Sequence, residues 1–234
     1  MKKIFDKHET LICILLILLY VVINSFCVQN FGIADYRSAL VNTVFSVLLF
    51  LLIVSLKGLT YYGFTKVNNI KDYWYFIPLL FIVSVNFWNG IKLDNSIDEI
   101  LFHVITMLNV GFIEEVIFRG FLFRMMAKDS VKAAIIVSSV TFGIGHIVNL
   151  FNGADLLPTL LQICYAMAVG FLFVIIFYKS GSIIPCILAH SLNNSFSIFG
   201  KENEFSLYIG SLFLIVVSTV YAICISKKSK QYKI

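Results

Sequence analysis

Apolar residues along the 234-residue chain gather into eight blocks with short polar interruptions. Most blocks approach the roughly 20 residues a helix needs to cross a bilayer's hydrocarbon core. They run over residues 11–28, 39–56, 73–88, 100–126, 133–151, 156–178, 183–199 and 205–225. The third is short and holds Pro78, and the seventh is short and turns polar at its far end. Both are expected to be tilted, broken or shielded by neighbouring protein. The pattern predicts an all-α polytopic membrane protein of about eight transmembrane helices, with its site in a core bundle. No internal repeat, long linker or low-complexity tract interrupts it.

Composition excludes a soluble fold of this size. The chain is 59% hydrophobic and 15% aromatic but only 13% charged, with mean hydropathy +0.92, where soluble domains carry about 25% charged residues. Met1-Lys2-Lys3 ahead of the first apolar block resembles a secretory signal, but no small-residue cleavage site follows residue 28. That block therefore reads as a retained first span. The five cysteines, Cys13, Cys27, Cys164, Cys186 and Cys224, show no CxxC spacing and read as small core or lipid-facing residues.

The net charge of +5 is compatible with a nucleic-acid partner, but its distribution points to topology. Eight spans put both termini on one side of the membrane. With that side cytoplasmic, 14 of the 18 basic residues fall in cytoplasmic segments. Arg37, Lys92 and Lys201 fall outside, and Arg119 lies within a span. The expected location is the plasma membrane, with cytoplasmic termini and no nucleic-acid partner. Tyr73, Trp74, Tyr75 and Trp88 read as an interfacial aromatic belt, and Tyr61-Tyr62 as interfacial too.

Three spans carry polar groups that do not belong in lipid. The fourth holds Glu114, Glu115 and Arg119, the fifth His146 with Asn149 beyond it, and the seventh His190, Asn193 and Asn194. A charge at mid-bilayer costs roughly 2.5–3.5 kcal/mol on insertion scales, so each needs a reason. Glu115 and Arg119 are four residues apart and can form an ion pair along one helical stripe. Glu114 is rotated about 100° from Glu115, so one glutamate can pair with the arginine while the other faces a cavity. Phe142 and His146, and likewise His190 and Asn194, share that i,i+4 relation. At about 1.5 Å per residue from the cytoplasmic edges, Glu114 lies about 18 Å deep, His146 about 20 Å, His190 about 11 Å and Asn194 about 17 Å. The four groups are expected to meet in one polar pocket reached from the cytoplasmic half. His103 shares the Glu114 face but reads as interfacial, and isolated Asn24, Asn42 and Asn86 read as helix–helix glue.

Glu114-Glu115-Val116-Ile117-Phe118-Arg119, Phe142-Gly143-Ile144-Gly145-His146 and His190-Ser191-Leu192-Asn193-Asn194 stand in order on successive polar spans. Together they resemble the CAAX protease and bacteriocin-processing (CPBP, or Abi) family of intramembrane proteases. That family's signature is Glu-Glu-xxx-Arg, then Phe-xxx-His, then His-xxx-Asn. The flanks 118–122 and 181–185 are also similar, and the resemblance extends over about 101–199. It divides the chain into three N-terminal spans (1–96), a catalytic core (97–200), and a last span with a basic tail (201–234).

The resemblance implies an endopeptidase acting on a peptide or lipidated protein held at the bilayer. Glu114 would be the general base that activates water, with His146 and His190 orienting that water or assisting protonation. Asn194, with His146, would stabilise the oxyanion, and Glu115 and Arg119 would support the site. Relatives are often labelled metalloproteases, and Glu114, His146 and His190 would be the ligands if zinc were bound; the metal-free glutamate mechanism is preferred. In eukaryotic relatives the substrate is a prenylated C-terminus. Bacterial relatives are associated with leader-peptide processing, bacteriocin self-immunity and surface display. A non-proteolytic immunity protein or scaffold retaining the polar core, and a small proton-coupled transporter, are the alternatives.

Overall fold

The computed structural model describes residues 2–66, 76–201 and 203–228. A short helix α1 (Lys2–Lys7) leads into α2 (Glu9–Phe31) and α3 (Tyr36–Ser55). Between these two, Gly32 takes φ +84°, and Asp35 caps α3 by accepting from the Arg37 amide at 2.8 Å. Next comes α4 (Ile77–Ser84), extended by a 3₁₀ turn (Val85–Phe87). A Ser96/Glu99 capping box opens α5 (Ile97–Glu115), which runs unbroken through a π-helical stretch (Val116–Phe123) into α6 (Arg124–Ala127). Helix α7 (Val131–Gly145) tightens into a 3₁₀ stretch (His146–Leu150) before α8 (Leu156–Ser180). The last helices are α9 (Ile184–Phe196), continued by a 3₁₀ turn (Ser197–Phe199), and α10 (Glu204–Lys228).

The fold is the expected all-α polytopic architecture, with one difference in the spans. Among the described residues, six helices are long and apolar enough to cross a bilayer: Glu9–Phe31, Tyr36–Ser55, Ile97–Ala127, Val131–Leu150, Leu156–Ser180 and Leu207–Lys227. The third predicted block contributes only α4 and its 3₁₀ turn, and the seventh contributes the 13-residue α9. Pro78 does not kink a span; it sits in the first turn of α4, where its missing N–H costs nothing. Tyr73, Trp74 and Tyr75 lie outside the described residues. Trp88 packs edge-on against Phe213 and donates from Nε1 to Ser84 Oγ at 3.2 Å.

Pairings across the bundle define its two ends. At the end carrying the termini, Lys128 pairs with Glu9 and Lys179 donates to the Ser226 carbonyl at 3.0 Å. There too the Ile183 amide donates to the Gly63 carbonyl at 2.9 Å. At the opposite end, Gln29 donates to Asn152 at 3.0 Å and the Lys92 amide to the Phe199 carbonyl at 2.8 Å. Large apolar side chains such as Leu15, Leu18, Val22, Leu48 and Leu51 point outward, as lipid-facing positions do.

With lipid on the outside, the helices are held together by close packing and interhelical hydrogen bonds. Gly111 lets α5 press against α9 so closely that a Cβ there would lie 2.4 Å from Ser191 Oγ and 2.7 Å from the Ser191 amide nitrogen. Gly143 does the same for α7 against Met167 of α8. Ser191 donates to the Leu108 carbonyl at 3.0 Å, Ser138 to the Phe118 carbonyl at 2.9 Å, and Asn109 to Thr43 at 3.0 Å. Of the asparagines expected to act as glue, Asn86 does, binding Asn193 through its carbonyl at 2.9 Å and its side chain at 3.0 Å. Asn42 instead donates within α3, to the Ser38 carbonyl at 3.0 Å. All five cysteines are free.

Candidate active site

The close α5–α9 packing sets His190 beside the two glutamates at the end of α5. Arg119, one turn beyond Glu115 in the π stretch, donates from Nη1 to Glu115 Oε1 at 2.9 Å, and both side chains are fully buried. The guanidinium has two further contacts, while its Nε is buried without a hydrogen-bond partner among the described residues. Nη2 donates to the Gly170 carbonyl at 3.3 Å, and the cation sits 4.2 Å over the Phe142 ring. Gly170 has no room for a side chain, since a Cβ would lie 3.1 Å from Arg119 Nη2 and 2.9 Å from Phe142.

Glu115 also holds the histidine of α9, with His190 Nδ1 2.8 Å from the same Oε1 atom. An arginine-paired carboxylate accepts, so Nδ1 donates to it, and Nε2 is turned toward the second glutamate. Nε2 lies 3.5 Å from Glu114 Oε2. The other Glu114 oxygen accepts from the Tyr20 hydroxyl at 2.6 Å. A continuous polar chain therefore runs Gly170–Arg119–Glu115–His190–Glu114–Tyr20, crossing from α8 to α2.

Beyond Glu114 lies a cavity of about 600 Å³, within the range of small-ligand sites. Glu114, His146 and Asn194 share its wall with His103, Gln162 and six asparagines in all, Asn24, Asn86, Asn149, Asn152 and Asn193 besides Asn194. Glu114 is the one carboxylate among these lining groups and, unlike buried Glu115, is 14% exposed. His146 reaches the wall because its Nδ1 lies 3.0 Å from the Phe142 carbonyl one turn back, which fixes the ring as α7 tightens into 3₁₀. Asn194 Oδ1 accepts from Asn193 at 3.4 Å.

The structure brings together Glu114, His146, His190 and Asn194, with Glu115 and Arg119 paired behind them as the i,i+4 spacing predicts. Three expectations need correction. The cavity does not open toward the termini, as predicted, but toward the opposite end, where Ile33, Asn152, Gly153 and Ala154 form its mouth. Depth along each helix locates a side chain but says nothing about the direction in which the void widens. His103 is buried in the cavity wall rather than interfacial, with Nε2 3.2 Å from the Asn194 carbonyl. Asn24 likewise lines the cavity.

The zinc alternative requires Glu114, His146 and His190 to converge on one point. Among the described residues, no three His, Cys, Asp or Glu side chains group in a way that could hold a metal ion. The donor set as arranged does not fit zinc. Tyr20 and Gln162 were not anticipated. For Tyr20 the one available signal was Asn24, four residues on and so on the same face of the first span.

No curated protein and no solved structure matches the chain. A family model does: residues 96–196 match that described as type II CAAX prenyl endopeptidase Rce1-like. The match begins at the Ser96 cap of α5 and ends at the last residue of α9, Phe196, so it covers all three motifs. Over this segment the chain is similar to the Rce1-like, CAAX-protease-like family, the CPBP group whose signature its three motifs resemble.

Proposed function

We propose that Glu114 is the general base of a peptide-bond hydrolase that works within the membrane. The observation carrying this reading is the contrast between adjacent carboxylates. Glu115 is sealed against Arg119, whereas Glu114 faces the cavity with His190 Nε2 at 3.5 Å. Glu114 takes a proton from a water in the cavity, and the water oxygen attacks the peptide carbonyl. The C–N bond breaks, and the proton passes through Glu114 to the departing amine. His146 and Asn194, on the same wall, supply donors for the oxyanion. The amide-rich lining offers both donors and acceptors, which suits the backbone of an extended peptide. The substrate is a membrane-associated peptide or lipidated protein segment, with leader-peptide processing or self-immunity as the expected role.

The test compares new N-termini in membranes of cells producing the wild-type chain or Glu114→Gln. Removing a general base typically costs 10²- to 10⁴-fold in rate, so the variant should accumulate normally and yield none of the cleavage products. An unchanged set of products contradicts the assignment. Partner protection that survives Glu114→Gln would favour a binding role instead.

A further inference from the structure

The cavity and the charge distribution lie on opposite ends of the bundle, and together they decide which side of the membrane supplies the substrate. The cavity mouth is formed by Ile33 from the α2–α3 turn and by Asn152 and Ala154 from the turn before α8. Both turns lie at the end away from the termini.

Toward the termini the site is closed. All eight residues of the π stretch are buried. Phe118 packs on Phe142 with ring centroids 5.4 Å apart, and Phe121 packs on Tyr62 at 4.7 Å and on Phe5 at 5.8 Å. Among the described residues these rings fill the bundle between Glu114 and the termini, and the cavity's lining does not extend to that end.

The closed end is also the basic end. Among the described residues, the segments there hold 11 Lys and Arg residues and three acidic ones. The described segments at the open end hold three basic and six acidic residues. By the positive-inside rule the closed end is cytoplasmic.

We infer that the active site is loaded from the extracytoplasmic face. Its substrate is a polypeptide segment already carried across the bilayer: a translocated peptide, or the outer juxtamembrane stretch of an anchored protein. A C-terminus prenylated and presented from the cytosol does not reach Glu114. The inference rests on the peptidase reading for what enters the cavity, but the side of entry follows from the cavity and charges alone.

Cysteine accessibility tests it. In a background with the five native cysteines replaced by serine, Ala154→Cys marks the mouth and Thr60→Cys the closed end; both positions are exposed. Intact cells are treated with a bulky membrane-impermeant maleimide, and permeabilised cells serve as the reference for full labelling. Ala154→Cys should label fully in intact cells and Thr60→Cys only after permeabilisation. Labelling at Ala154→Cys should also stop production of the Glu114-dependent termini.

The reverse labelling pattern, or equal labelling of both positions in intact cells, overturns the inference. Cleavage that continues at full rate with the mouth labelled overturns this route of entry. Failure of the peptidase reading looks different: the predicted labelling pattern with products insensitive to Glu114→Gln.

Discussion

Glu114 and Glu115 are consecutive in sequence yet sit in two different compartments. Around Glu115 everything is closed: Arg119 at 2.9 Å, His190 at 2.8 Å, no exposed side-chain surface, and aromatic rings packed over the guanidinium. Around Glu114 the contacts are a tyrosine hydroxyl and a histidine nitrogen, and the rest is cavity. A carboxylate fixed by a buried arginine serves as an anchor, because its charge is already committed. The neighbour, bonded to a tyrosine hydroxyl and facing a polar void, is the carboxylate proposed above as the base. His190 connects the two, so the closed compartment sets the orientation of the ring that serves the open one.

Breaking the closed compartment should have the largest structural effect. Arg119→Met leaves Glu115 as a buried charge without its cation, and losses of this kind cost about 3–5 kcal/mol. Folded yield should fall steeply on size exclusion in detergent. The double variant Glu115→Leu/Arg119→Met removes both charges and should recover most of that yield. It should not recover cleavage, since His190 has lost the acceptor that fixes its tautomer. Equal yields for the single and double variants would refute the buried pair.

A smaller effect is expected where α5 meets α9. Gly111→Ala places a methyl group 2.7 Å from the Ser191 backbone nitrogen, so the helices must part. Overpacking of this sort costs about 1–3 kcal/mol, read as a lowered thermal midpoint. It should also lower cleavage, because His190 rides on the displaced helix. An unchanged midpoint would mean that the two helices pack less tightly than described here.

Tyr20→Phe sharpens the comparison from the open side. It removes the hydroxyl that donates to Glu114 at 2.6 Å but keeps the ring packed against Phe45. A hydrogen bond to a charged group contributes about 1.5–3 kcal/mol, so the cleavage rate should fall by roughly tenfold or more. Membrane abundance should stay near wild type. Loss of abundance in parallel with rate would make Tyr20 a structural residue and not a positioning one.

The closed compartment was legible in the sequence because helical spacing and charge state it directly: Glu115 and Arg119 four apart, in a span that cannot tolerate either alone. The membership of His146, His190 and Asn194 was legible through motif and depth. Other features left weaker traces. Tyr20 is one aromatic residue in an apolar run, indistinguishable by composition from a lipid-facing ring. The π stretch after Glu115 is a slip in backbone hydrogen bonding that hydropathy does not register. The direction of the cavity depends on how the bundle fills toward each end, with phenylalanines below Glu114 and asparagines above it. No count along a single helix reports that.

The most direct measurement of the division between the two glutamates records yield and cleavage together. Wild type, Glu114→Gln and Arg119→Met are produced in the same cells, with folded protein in the membrane quantified beside new substrate N-termini. Glu114→Gln should match wild type in yield and abolish the termini, while Arg119→Met should lose yield first. Termini produced at the wild-type rate by Glu114→Gln would contradict the account.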